Sequence, residues 1–139
     1  MRIMIDTNVL ISAVLLASKK IGSIIEYIAE NHTLVLCSYI IDEFNEVVER
    51  KFPSKKKQAD KMLSHMMFEL VYTPQILDKN LFQIRDAADY PVLYTAITEG
   101  VDILITGDKD FSSADVEAPE ILTPTAFMEE YMQSDSVTN

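Results

Sequence analysis

Asp6 closes the apolar run Ile3-Met4-Ile5, and Glu43, Asp89 and Asp108 each stand at the edge of a later apolar segment. A carboxylate just past a buried strand has no packing reason to be there. Gathered into one site, such groups would repel: two like charges about 4 Å apart cost about 4 kcal/mol at an effective dielectric of about 20. Protons or a divalent cation must then offset the charge, and oxygen donors suit a hard cation. Each residue alone has a plainer reading. Asp89 in a first helical turn is favoured by capping and the helix dipole. Glu43 has acidic neighbours in Asp42 and Glu46 and fits a solvated helix face. Asp108 and Asp110 in Thr106-Gly107-Asp108-Lys109-Asp110 fit an ordinary turn. Asp6 resists such a reading, because it follows a buried strand and precedes two side-chain hydrogen bonders, Thr7 and Asn8.

The elements that must position these groups follow from periodicity. Residues 2–6 read as a buried strand, and Asn8 as the cap of a helix through about Ala17 whose apolar face holds Val9, Leu10, Ala13, Val14 and Leu16. Lys19-Lys20-Ile21-Gly22-Ser23 reads as a break, with a second helix from about Ile24 to Glu30. Thr33–Cys37 reads as a strand and Ser38 as the N-cap of a helix ending near Phe52-Pro53. Helical spacing returns from Lys56 to about Phe68, and 69–72 reads as a third strand. Asp89 opens a helix with Pro91 in its first turn and Gly100 as its stop. Residues 102–106 read as a strong strand, 120–122 as a weaker one, and 125–132 as a last helix. Alternating strands and helices, few hairpin signals and only 3 Gly predict an α/β fold. Its three layers, α/β/α, would enclose a mostly parallel sheet of about five strands in the order 3-2-1-4-5. Asp6 and Asp108 would then share the C-terminal edge of adjacent strands, where ligands of open α/β sheets gather. Glu43 would project from a helix leaving that edge. The expected organisation is one domain over 1–132 and a polar tail over 133–139.

Composition narrows the classes further. Of 139 residues, 48% are hydrophobic and 24% charged, and no run approaches the roughly 18 apolar residues of a membrane span. Asp6 interrupts the first apolar run, so a cytoplasmic protein with no membrane partner is expected. Cys37 is the lone cysteine, so no internal disulfide forms. The net charge of −10 sits awkwardly with nucleic-acid binding, which rests on Lys and Arg, although a bound cation would offset part of it. Lys51, Lys55, Lys56, Lys57 and Lys61 form one basic stretch, read as a solvated helix start or loop ahead of the alternative, a phosphate-contacting face. The apolar side of 62–68 serves core packing or a homodimer contact equally well.

Taken together, the motifs resemble the PIN-domain family of metal-dependent ribonucleases, close to the VapC-like toxins of toxin–antitoxin pairs. Its carriers are Ile5-Asp6-Thr7-Asn8-Val9-Leu10-Ile11-Ser12, Ser38 through Glu43, Arg85-Asp86-Ala87-Ala88-Asp89-Tyr90-Pro91-Val92-Leu93 and Leu104-Ile105-Thr106-Gly107-Asp108-Lys109-Asp110-Phe111. The resemblance implies that Asp6, Glu43, Asp89 and Asp108 are the catalytic carboxylates holding Mg²⁺ or Mn²⁺, with Asp110 as a fifth acidic ligand. It implies that Asn8, Ser38 and Thr106, with Thr7 beside them, support those carboxylates from behind. Asp86 is an acidic alternative ranked below Asp89.

The activity so implied is hydrolysis of phosphodiester bonds in single-stranded RNA, with a protein antitoxin as a possible partner. Oxygen-only ligands and the lack of a His or Cys cluster favour Mg²⁺ or Mn²⁺ over zinc. His32 and His65 lie away from every acidic motif. Two other readings stay open. A phosphatase or phosphoryl-switch domain also uses acidic residues and Mg²⁺, but the phosphatase type wants Asp where Asn8 stands. A catalytically inactive PIN-like binding module would keep the cleft for a partner.

Overall fold

The computed structural model describes residues 1–132; the polar tail expected at 133–139 lies outside the described residues. The chain runs β1 (Arg2–Ile5), α1 (Thr7–Val14), α2 (Lys19–Asn31), β2 (Thr33–Cys37), α3 (Ser38–Lys51), a short 3-10 turn, α4 (Lys56–His65) and β3 (Glu69–Val71). After a long irregular segment come the 3-10 turn Ala87–Asp89, α5 (Tyr90–Thr98), β4 (Ile103–Ile105), a 3-10 turn Lys109–Ser113, β5 (Glu120–Leu122) and α6 (Pro124–Phe127). The five strands form one sheet in the order β3-β2-β1-β4-β5, and every pairing is parallel. Helices flank it on both sides, giving the three-layer α/β/α arrangement expected from the alternation of periods.

Parallel strands covered on both faces need apolar side chains on both. Accordingly, Ile3, Met4, Ile5, Leu34, Val35, Leu36, Cys37, Ile103, Leu104 and Ile105 are all buried. The amphipathic helices cover them with Leu10, Ile24, Ile28, Ile40, Phe44 and Leu93, each fully buried. Leu63, Met66 and Phe68 also pack against this core, whereas Met62 and Met67 face outward.

Several boundaries differ from the sequence expectation, each for a local reason. Asp6, not Asn8, caps α1, accepting the Val9 N–H at 3.1 Å. That helix stops at Val14, shortly before Ala17, which adopts φ +50°, a left-handed conformation that cannot continue a helix. The stretch read as a break instead opens α2, because Ser18 Oγ accepts the Ile21 N–H at 3.2 Å and Gly22 lies within the helix. Cys37, not Ser38, is the cap residue of α3; the Ser38 hydroxyl accepts the Thr73 N–H at 2.9 Å instead. The fourth helix ends at His65, because Met66 is already extended. Gly100 ends α5 as expected, at φ +66°.

At the N-terminal edge of the sheet, Arg2 ties separate elements together. Its guanidinium meets both oxygens of Glu69 at 2.8–3.2 Å and also donates to the Glu99 carbonyl at the end of α5. Its backbone N–H donates to Asp102 Oδ2 at 2.7 Å.

Candidate active site and metal centre

The opposite edge of the sheet carries the acidic residues, and strand register explains why. Ile5 pairs with Ile105, and the Asp6 N–H continues the ladder to the Ile105 carbonyl at 3.1 Å. The first residues beyond both strands are therefore side by side. Asp6 is buried: Oδ1 accepts from Val9 N, and Oδ2 accepts from the hydroxyl of Thr106. That hydroxyl also accepts the Asp108 N–H at 3.0 Å, so Thr106 couples Asp6 to the Asp108 turn. Asp108 Oδ1 in turn accepts the Asp110 N–H at 2.8 Å, the Asx geometry of a turn whose polar atoms fold back on its own backbone.

Asp86 and Asp89 arrive from another direction. Asp86 caps the 3-10 turn by accepting the Ala88 N–H at 2.9 Å, and Asp89 closes that turn where α5 begins. Their three-residue spacing places both carboxylates on one side of a helical turn. Oxygens of Asp86, Asp89, Asp108 and Asp110 all lie within 4.8 Å of one another. Arg85 Nη1 stands 3.5 Å from Asp110 Oδ1 on the rim.

The remaining expected residues are placed as follows. Glu43 is half-buried on α3, close enough for its charge to act on Asp6 and on the phenol of Tyr39, one turn earlier. It lies outside the four-carboxylate group, and so does Asp6, each of whose oxygens accepts one hydrogen bond and keeps a lone pair toward the site. Thr7 is buried with its hydroxyl unpartnered among the described residues, and Asn8 is exposed. Ser38 tethers Thr73 rather than a carboxylate.

Two residues stand out against the sequence reading, one ranked low in it and one absent from it. Asp86, ranked behind Asp89, sits with it in the group; the three-residue spacing was the available signal. Tyr39 carries no sequence motif, yet burial pushes its phenol up, aided by the charges of Glu43, Asp89 and Asp86, which all reach it. Its place four residues before Glu43, on the same helix face, was legible.

Charge crowding shows in the proton equilibria. Burial raises the pKa of Asp6, aided by the charges of Asp108 and Glu43 and opposed by its hydrogen bonds from Thr106 and Val9. Asp89 is pushed up to about 7, first by burial, then by a hydrogen bond to Asp108 and by the charges of Asp108, Asp86 and Asp6. A proton held by Asp89 thus relieves the repulsion that a cation would otherwise relieve. Asp89 Oδ2 is buried with no hydrogen-bond partner among the described residues, a costly state that a ligand there would relieve.

The donor set fits a hard dication. Oxygens on opposite sides of one Mg²⁺ are roughly 4.2 Å apart, and those on a larger ion such as Ca²⁺ roughly 5 Å. A 4.8 Å spread therefore needs only a small contraction for Mg²⁺. Among the described residues no His or Cys joins the group, as a Zn²⁺ site would require.

Comparison with known proteins gives a consistent picture. No curated protein matches the chain. Among solved structures, it is similar to VapBC2 from Rickettsia felis, crystallised bound to a DNA fragment from their promoter. That match has TM-score 0.65 and 17% identity, covering 88% of this chain and 97% of the other. It is also similar to Mycobacterium tuberculosis VapC20, described as a sarcin–ricin loop cleaving toxin, with TM-score 0.57 and 10% identity, covering 80% and 93% of the two chains. At such identities the likeness establishes the fold. The PIN-domain family model matches residues 2–110, which takes in β1, α5 and every residue of the carboxylate cluster. The chain belongs to the PIN-domain family.

Proposed function

We propose that this protein is a metal-dependent endoribonuclease that hydrolyses phosphodiester bonds of single-stranded RNA in the cytoplasm. The observation that carries this reading is the convergence of Asp86, Asp89, Asp108 and Asp110 on one point, next to a buried carboxylate oxygen that lacks a partner. Family membership supports the reaction class. The solved neighbours support a toxin role controlled by an antitoxin, and the phosphatase alternative loses its motivation.

In this reading Asp86, Asp89, Asp108 and Asp110 hold Mg²⁺ or Mn²⁺. When bound, a hard dication supplies a nucleophilic water at neutral pH and neutralises charge developing on the phosphate. The chain's own residues do the rest. Asp6, fixed by Val9 N and Thr106, adds negative potential that reaches Asp89 and attracts a cation. Thr106 keeps the Asp108 turn in register with Asp6. Glu43, whose charge acts on Asp6, is assigned the role of accepting a proton from an attacking water. No side chain is needed as a covalent nucleophile.

The test is direct. Wild-type protein with Mn²⁺ is expected to cleave unstructured RNA, and Asp108→Asn to lose at least about 100-fold in rate while keeping its circular dichroism spectrum. Intact RNA with both proteins would leave the inactive binding module as the surviving reading.

A further inference from the structure

We propose that an apolar hollow beside the carboxylate cluster is a nucleobase-binding subsite, which seats a base of single-stranded RNA next to the phosphate at the cluster. The hollow has a volume of about 610 Å³, within the usual range of small-molecule sites, and is walled by Leu77, Phe82, Tyr90 and Ala87, with Lys79 and Gln83 at its polar positions. It is built by the long irregular segment between β3 and the turn Ala87–Asp89, packed onto the start of α5. Irregular segments of such length inside a compact fold are usually functional.

Three observations select a base as the occupant. The first is continuity with the cluster. Ala87 lies between Asp86 and Asp89 in one turn, so a wall residue of the hollow is the chain neighbour of a cluster residue, about 3.8 Å away between Cα atoms. On the other flank, Gln83 and Ile84 also line a second hollow with Arg85 and Ser113. Arg85 pairs with Asp110, and the Ser113 hydroxyl donates to the Asp110 carbonyl at 2.6 Å. The path therefore reaches the cluster from both sides of Asp86.

The second observation is a preformed aromatic platform. The rings of Phe82 and Tyr90 stack at 4.2 Å with planes 16° apart, and Tyr94 continues the stack at 6.0 Å. The Tyr90 hydroxyl is tied into the 78–82 stretch, donating to the Asp78 carbonyl and accepting the Leu81 N–H. Platforms of this kind hold bases of single strands through stacking, which is tolerant of sequence. The third is charge. In a chain of net charge −10, the hollow carries a cation, Lys79, which makes no ion pair among the described residues. Phosphate on one side and an apolar base on the other match a nucleotide better than an acidic or purely apolar peptide. The Gln83 amide offers both a donor and an acceptor to a base edge.

This subsite rests on the ribonuclease reading, so its test separates the two. Binding of a fluorescent single-stranded RNA to the full-length Asp108→Asn protein is measured by anisotropy, alongside the same strand with all bases removed and the phosphodiester backbone kept. The intact strand is expected to bind at least about 10-fold tighter. Phe82→Leu, which keeps an apolar side chain, and the exposed-site variant Gln83→Ala are each expected to weaken the intact strand about 5- to 10-fold and to leave the baseless strand unchanged. Equal affinities for the two strands, as a hollow made for a protein segment predicts, overturn the subsite, as does absence of any RNA binding. So do variants without effect in protein whose melting curve is normal. If wild-type protein cleaves RNA but binding ignores the bases, only the subsite falls. If binding depends on bases and variants as expected but cleavage never occurs, the subsite stands and the ribonuclease reading falls.

Discussion

Asp89 is the residue whose proton equilibrium the crowding displaces strongly. Its carboxyl is raised from 3.8 to about 7 by burial and by Asp108, so the folded protein holds a proton that the unfolded chain releases. That contribution to stability is fully present below about pH 3.8 and is lost as pH rises through about 7. In chelator, the melting temperature of the wild type is therefore expected to fall between pH 5 and pH 8 more steeply than that of Asp89→Asn. Parallel melting curves would contradict the crowding described here. Thr106 gives a second prediction at this scale. Its hydroxyl joins Asp6 to the Asp108 turn, and Thr106→Val keeps the shape while removing both bonds. Loss of such supporting partners typically weakens metal affinity about 10- to 100-fold. Calorimetric titration with Mn²⁺ on protein that still melts cooperatively reads it. Asp6 and Asp108 were legible as site candidates because a strand end leaves its next residue at the sheet edge. The closeness of Asp86 to Asp108 was not, because it depends on how the irregular segment returns to the sheet.

Among the elements, the strands were the most readable. Thr33–Cys37 and Glu120–Leu122 coincide with the expected spans, since short apolar runs beside helical periods leave few alternatives. The start of α2 was misread because Lys19-Lys20 and Gly22 resemble punctuation, and only the Ser18 cap reveals that the helix begins there. Ser18→Ala is expected to cost about 1 kcal/mol, the usual value of a lost N-cap. At Gly100 the positive φ carries the constraint, because a Cβ there meets no atom within 4 Å. Gly100→Ala is accordingly expected to destabilise by about 1 to 2 kcal/mol through backbone strain alone. Urea denaturation measures both, and a neutral Gly100→Ala would refute the conformational account.

At the scale of the whole molecule, which carries a net charge of −10, four carboxylates converge where a cation would relieve their repulsion. A divalent ion at about 100 times its dissociation constant adds about 2.7 kcal/mol of stability by mass action. For a chain of this size that is a rise in melting temperature on the order of 10 °C. Saturating Mn²⁺ is expected to produce it in the wild type and not in Asp108→Asn. The Arg2 knot gives this balance a direction. One end of the sheet is stapled by a forked guanidinium, and the other is sprung by crowded acids. Stripped of cations, the molecule should breathe from the sprung end. Amides of 105–110 and 86–90 would then trade hydrogen for deuterium early, while those of 2–4 and 34–36 stay slow.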